Sequence, residues 1–285
     1  MPRTEPTPHR TIFPSKPAVT APMAEAIAFI PARYASTRFP GKVLADRTGC
    51  PMIQHVVEQV RQARTIDRIV VATDDPRIAA AVARFKCESV LTHDDHPNGT
   101  SRIAEAIRHL ERDGTSGLPP IIVNVQGDEP EIEPPVIDLL VDGIRSDLEA
   151  SMATLASEFA PHEDPADPDI VKVVVNQHNR AMYFSRSLIP FCREPAPRIA
   201  PLKHAGIYAY RRQFLTKYIA LPPTPLEQSE GLEQLRAIEH GHAIAVIKTQ
   251  IRHHGIDTPQ QYEAFVQRLA TTETRISKPP SEAQA

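Results

Sequence analysis

Apolar positions follow two alternating patterns through the middle of the chain. Largely apolar runs at Ala26–Ile30, Arg68–Ala72 (R-I-V-V-A) and Ile121–Val125 have the length of buried strands. Between them the spacing becomes helical. Pro51–Arg64 sets Ile53, Val56, Val57 and Val60 on one stripe behind a first-turn proline. Pro76–Phe85 is Ala-rich and helical, Ser101–Arg112 aligns Ile103, Ala106, Ile107 and Leu110, and Pro135–Leu148 aligns Ile137, Leu140, Val141 and Ile144. Strand and helix in alternation, with short joints, predict a mostly parallel sheet covered on both faces. Ligands of such sheets bind beyond the carboxyl ends of the strands. The unusual polar residues fall there, after Ile30, Ala72 and Val125.

The second half is less regular. Ile170–Val175 and Ala181–Phe184 read as paired strands turning at Asn176–Asn179, and His204–Tyr210 as a further strand. Pro225–His240 reads as a helix, Ala243–Lys248 as a strand, and Thr258–Leu269 as a terminal helix with Pro259 in its first turn. No internal repeat is visible. The pattern predicts one α/β domain over residues 25–270, with an inserted β-rich subregion near residues 150–210.

Composition narrows the class. The 285 residues include 29 prolines against 11 glycines, an inversion of usual usage. Six of those prolines precede Met23, so residues 1–24 read as a disordered, Pro-rich extension and Met23 as an alternative start. Residues 271–285 read as a disordered, polar tail. Thirty-two basic and 35 acidic residues leave a formal charge of −3, which offers no nucleic-acid surface. No apolar run reaches the roughly 18 residues of a membrane span. The three cysteines, Cys50, Cys87 and Cys192, are scattered, which suits a reducing compartment rather than a disulfide or zinc framework.

The loop after the first strand carries the densest chemistry. Residues 30–42 read I-P-A-R-Y-A-S-T-R-F-P-G-K, with Arg33, Arg38 and Lys42 beside Ser36, Thr37 and Gly41. Cations and backbone N–H groups at a strand's carboxyl end can cradle phosphates. The loop is not a Walker A motif. Asp128, in Q-G-D-E-P after the third run, can hold a divalent cation against phosphate oxygens. Asp257, in G-I-D-T-P, reads on its own as a helix cap before Pro259. Glu129 and Glu131 read as solvated acids, and the His253–His254 doublet as structural or solvated.

The loop resembles the signature of the 3-deoxy-manno-octulosonate (KDO) cytidylyltransferases. The likeness continues through A-T-D-D at 72–75, N-G-T-S-R at 98–102, V-N-V-Q-G-D-E-P at 123–130, V-K-V-V at 171–174 and Y-F-S-R at 183–186. It runs on through K-H-A-G-I-Y-A-Y-R at 203–211, L-E-Q-L-R at 232–236 and G-I-D-T-P at 255–259, covering about residues 25–270. The resemblance implies a Rossmann-like nucleotidyltransferase sheet whose β-rich subregion serves dimerisation and sugar binding. It implies a cytoplasmic homodimer that joins KDO to CTP for lipopolysaccharide synthesis. The anomeric hydroxyl attacks the α-phosphorus in line and pyrophosphate leaves.

By that resemblance Lys42, Arg38, Asp128 and Asp257 are catalytic, and Asp128 and Asp257 hold Mg²⁺, as one ion or two. Ala32, Arg33, Arg38, Lys42, Thr73, Asp74, Asn98, Gly99, Thr100, Arg102 and Gln126 bind the nucleotide. Arg186, His204, Tyr208, Glu230, Glu233 and Gln234 bind the sugar acid. Glu230, Glu233 and Gln234 would share a helix face. The sequence departs from the family at Ser101, where many relatives carry an acid. The first loop argues against a sialic acid enzyme. An amino-substituted KDO analogue or another 2-keto sugar acid stays open. A CTP-binding sensor without turnover is disfavoured by Lys42, Asp128 and Asp257 together.

Overall fold

The computed structural model describes residues 25–115, 117–193, 199–250 and 255–277. The three apolar runs form β1 (Ala26–Ala32), β2 (Ile66–Thr73) and β4 (Ile121–Asn124), and the helical stripes form α1 (Met52–Gln62), α2 (Pro76–Arg84), α3 (Gly99–Arg112) and α4 (Pro134–Ser146). Three elements escape the apolar pattern: β3 (Glu88–Leu91), β5 (Ala150–Glu158) and α5 (Arg212–Ala220). β5 reads A-S-M-A-T-L-A-S-E, where small and hydroxylated residues dilute the run although most of them are buried. The remaining elements are β6 (Lys172–Val175), β7 (Ala181–Ser185), β8 (Leu202–Arg211), α6 (Pro225–Glu230), α7 (Leu235–Glu239), β9 (Ala243–Lys248) and α8 (Pro259–Ser277), the last running past Leu269.

The sheet order is β3-β2-β1-β4-β8-β5-β9. β1, β2, β3 and β4 are parallel, β8 runs antiparallel between β4 and β5, and β5 and β9 are parallel. The β6–β7 hairpin hangs on β8 rather than lying in the main path. Alternate residues of β1 face opposite cores. Ala26, Ala28, Ile30 and Ala32 join side chains of α1, α2, α4 and α8, while Ile27 and Phe29 join those of α3, α5 and α7. Burial on both faces is why these strands read as continuous apolar runs. Among the described residues no helix is long and apolar enough to cross a membrane.

The helix expected over Pro225–His240 is broken. Gly231 adopts φ +63° and ends α6, and α7 begins four residues later at Leu235. Glu230, Glu233 and Gln234 therefore do not share one helix face. The whole amino-terminal extension with Met23, residues 278–285 of the carboxyl-terminal tail and the His253–His254 doublet lie outside the described residues, whereas residues 271–277, expected in that tail, continue α8.

Candidate active site

β1 delivers the chain into the basic loop at Ala32. The loop closes on itself where Gly41 N–H donates to Tyr34 O at 2.9 Å, with Gly41 at φ +70°. A side chain at Gly41 would sit in the left-handed region and meet the Tyr34 ring at 3.0 Å. The 3₁₀ turn Lys42–Leu44 follows and turns Lys42 inward. β4 delivers Asp128 from the neighbouring strand. Ile256 N–H donates to Asp128 O at 2.8 Å, which draws the G-I-D segment against that loop.

The three charges meet. Lys42 Nζ donates to Asp128 Oδ2 at 2.6 Å, Asp257 Oδ1 at 2.9 Å and Ile256 O at 3.0 Å. Its side chain is only 11% exposed, so every proton of the buried ammonium has a partner. Arg38, largely exposed, pairs with the other oxygen of Asp257 at 2.8 Å. Burial pushes the Asp128 carboxyl above its ordinary range, opposed by the charge and hydrogen bond of Lys42. Burial also acts to raise Asp257, but the hydrogen bond and charge of Lys42, joined by Arg38, hold it below. Asp257 does not cap α8. Thr258 does, accepting from Gln261 N–H at 3.2 Å, which frees the Asp257 side chain for the cluster.

These groups form part of the wall of a cavity of about 380 Å³. Ala32, Arg33, Arg38, Lys42, Asn98, Gly99, Arg102, Gln126, Asp128 and Asp257, all expected from the sequence, line it. Ser36, Thr37, His96 and Pro97 line it as well. Ser36 and Thr37 stand in the basic loop; His96 and Pro97 immediately precede Asn98 in sequence, the only signal that could have found them. Thr73 and Asp74 stand behind the wall. Thr73 is fully buried, and Asp74 Oδ2 accepts from Arg102 Nη2 at 3.1 Å, bracing a guanidinium that also donates to Thr92 Oγ1 at 2.7 Å.

Two amides set the cavity's hydrogen-bonding pattern. Asn98 caps α3 by accepting Ser101 N–H on Oδ1 at 2.8 Å, which leaves its Nδ2 hydrogens unbonded among the described residues. Gln126 donates Nε2–H to Asn124 Oδ1 at 3.1 Å, which leaves Oε1 unbonded among them. One donor and one acceptor match the N4–H, N3 and O2 edge of cytosine. Uracil, with N3–H and O4, reverses two of those groups.

The residues expected to hold the sugar acid form two groups behind the cavity. Arg186 donates to Glu230 O and Pro168 O, both at 2.9 Å, and the Glu230 carboxylate accepts from Ser185 Oγ at 2.6 Å and Arg186 N–H at 2.9 Å. That knot ties β7 to α6, and neither residue lines the cavity. The second group adjoins it. Thr100 Oγ1, in the first turn of α3, donates to Glu233 Oε2 at 3.3 Å. Burial raises the Glu233 carboxyl to about 7. A register shift between Thr154 and Leu155 skips Gly206 and Ile207 on β8 and keeps His204 and Tyr208 on one face, ring centroids 5.5 Å apart. Burial holds the His204 imidazole down to about 3 and pushes the Tyr208 phenol up. Gln234 is buried. Glu131, expected in solvent, pairs with Arg268.

Asp128 and Asp257 converge on one ammonium, so one cation can reach both carboxylates. The donors are hard oxygens, which suit an octahedral divalent ion completed by phosphate and water. Among the described residues no group of three or more His, Cys, Asp or Glu is placed to hold a metal alone. The pair therefore fits a metal that arrives with phosphate.

The chain is similar to proteins of one family over most of its length. Residues 27–249 match the family model described as Cytidylyltransferase. The 3-deoxy-manno-octulosonate cytidylyltransferase of Syntrophobacter fumaroxidans is 50% identical over 245 residues, 86% of this chain and 96% of that protein. The protein of the same name from Trichlorobacter lovleyi is 44% identical over 253 residues, 85% of this chain and 98% of its own length. The solved structure of a CMP:2-keto-3-deoxy-manno-octonic acid synthetase complexed with CTP superposes with a TM-score of 0.81 at 42% identity, covering 87% of this chain and 99% of the other.

Proposed function

Because the chain belongs to the 3-deoxy-manno-octulosonate cytidylyltransferase family, we propose that it joins KDO to CTP, giving CMP-KDO and pyrophosphate. The observation that carries this reading is the meeting of Lys42, Asp128 and Asp257 at the mouth of the basic loop. The anomeric oxygen of the sugar acid attacks the α-phosphorus and loses its proton. The bond from that phosphorus to the bridging oxygen breaks, and pyrophosphate carries the electron pair away.

The chain's own residues position and neutralise. Arg33, Arg38 and Lys42 meet the triphosphate, and Asn98 and Gln126 read the cytosine edge. Held by Asp128 and Asp257, Mg²⁺ would supply charge neutralisation at the phosphate oxygens when bound. Glu233, Tyr208 and His204 offer hydroxyl partners for the sugar acid, and Thr100 joins them to the nucleotide cavity. The Arg186–Glu230 knot supports that subsite from outside. Three free cysteines agree with work in the reducing cytoplasm.

The chain acts as a pair of identical subunits on this reading. Met182 in β7, and Leu188, Phe191 and Ile199 in the stretch of chain between β7 and β8, stand 59, 50, 89 and 68% exposed. Exposed apolar groups gathered in one segment suit burial against a second copy. Pyrophosphate release from CTP and KDO, with and without Mg²⁺, tests the activity. Release with another 2-keto sugar acid but not with KDO would contradict the substrate.

A further inference from the structure

His96 lines the cavity with a ring that cannot swing. Its Nε2 is hydrogen-bonded to Glu105, and its Nδ1 lies 3.1 Å from Ser101 Oγ. Ser101 Oγ–H donates in turn to Asn98 O at 3.0 Å, which fastens the ring to the first turn of α3. Glu105 is 6% exposed, and its carboxylate also accepts His93 N–H at 3.1 Å, with His109 Nε2 at 3.3 Å from its other oxygen. Burial works to raise Glu105, but the hydrogen bonds from His96 and from His93 N–H hold it below its ordinary range.

Both ring nitrogens are thus used inside the protein, which leaves the faces and C–H edges of the His96 ring for the cavity it lines. That ring belongs to the neutral end of the cavity. Asn98 is two residues on, and a Cβ built on Gly99 would lie 2.9 Å from Pro31 Cγ and 3.8 Å from Gln126 Oε1. The same end of the cavity thus holds the two amides that match a base edge, Asn98 and Gln126, while the carboxylate pair and Lys42 mark the phosphate end.

We propose that His96 is a nucleoside-contacting residue, its face packing on the base or ribose, and that Glu105 is the positioning residue that holds it. The inference rests on the reading that this cavity takes CTP. A face contact to a base is worth about tenfold in affinity on truncation to alanine.

Titration calorimetry on the full chain with CMP, CTP and inorganic pyrophosphate tests it. His96→Ala should weaken CMP and CTP by the same factor, about tenfold, with pyrophosphate unchanged. Glu105→Ala should reproduce that loss, and Glu105→Gln should recover part of it with the melting temperature of Glu105→Ala. This pair also decides the matter if His96→Ala does not fold. Equal binding of CMP by the parent and the variants overturns the inference alone, as does a loss confined to CTP and pyrophosphate. A parent chain that binds neither CMP nor CTP overturns the functional reading and the inference together.

Discussion

Lys42 is a buried ammonium whose partners are two carboxylates from distant parts of the chain and a carbonyl. Removing one carboxylate leaves the ammonium still paired, so the fold should survive while the charge arrangement for phosphate is lost. Asp128→Asn and Asp257→Asn are each expected to lower kcat about 100-fold or more in a steady-state pyrophosphate assay, with the melting temperature within a few degrees of the parent. The sequence supplied the cationic loop and both aspartates, but not their contact. Asp257 alone has the pattern of a helix cap, and only the bond from Ile256 N–H to Asp128 O explains why Thr258 caps instead. His204 makes a separate prediction. Its folded imidazole is held down to about 3 against an ordinary 6.5, so the unfolded chain binds a proton that the folded chain refuses between those values. Stability contributed there is complete above about pH 6.5 and is lost as pH falls. Melting temperature should fall from pH 6.5 to pH 4.5 in the parent, and less steeply in His204→Asn.

The break between α6 and α7 decides which side chains face the cavity. A continuous helix over Pro225–His240 would group Glu230 with Glu233; Gly231 at φ +63° instead sends Glu230 to Arg186 and Ser185 and Glu233 to Thr100. Gly231→Ala should cost about 1–2 kcal/mol in chemical denaturation and raise the KM for KDO more than that for CTP. Unchanged KM values would separate this break from the sugar subsite. The strands of the first half were readable because burial on both faces makes them uniformly apolar. β5 was not, since its core positions are filled by alanine, serine and threonine, and Thr154 turns its hydroxyl onto the carbonyls of Ala205 and Ile207 at the bulge. Periodicity cannot register a residue whose burial depends on a neighbouring strand's irregularity.

The molecule as a whole places its chemistry where a parallel sheet leaves room for it, beyond the carboxyl ends of β1, β3 and β4, with the return segment before α8 closing the site. Lys42 and Asp128, 86 residues apart, meet because β1 and β4 are adjacent strands, which is why the first-half site could be anticipated from element order and the His96 wall could not; Asp257, 215 residues from Lys42, is drawn in by the bond from Ile256 N–H to Asp128 O. The apolar residues around Phe191 belong to this larger organisation. Phe191→Glu should shift the protein to a smaller mass in light scattering, if pairing buries that segment. The central claim meets its most direct test in one measurement: pyrophosphate released by the full chain with CTP and KDO at saturating Mg²⁺, run beside the folded Asp128→Asn, Asp257→Asn double variant. The account predicts release in proportion to KDO added, none when either substrate is withheld, and loss of release in the double variant. No release by the folded parent with KDO, or undiminished release by the double variant, would contradict it.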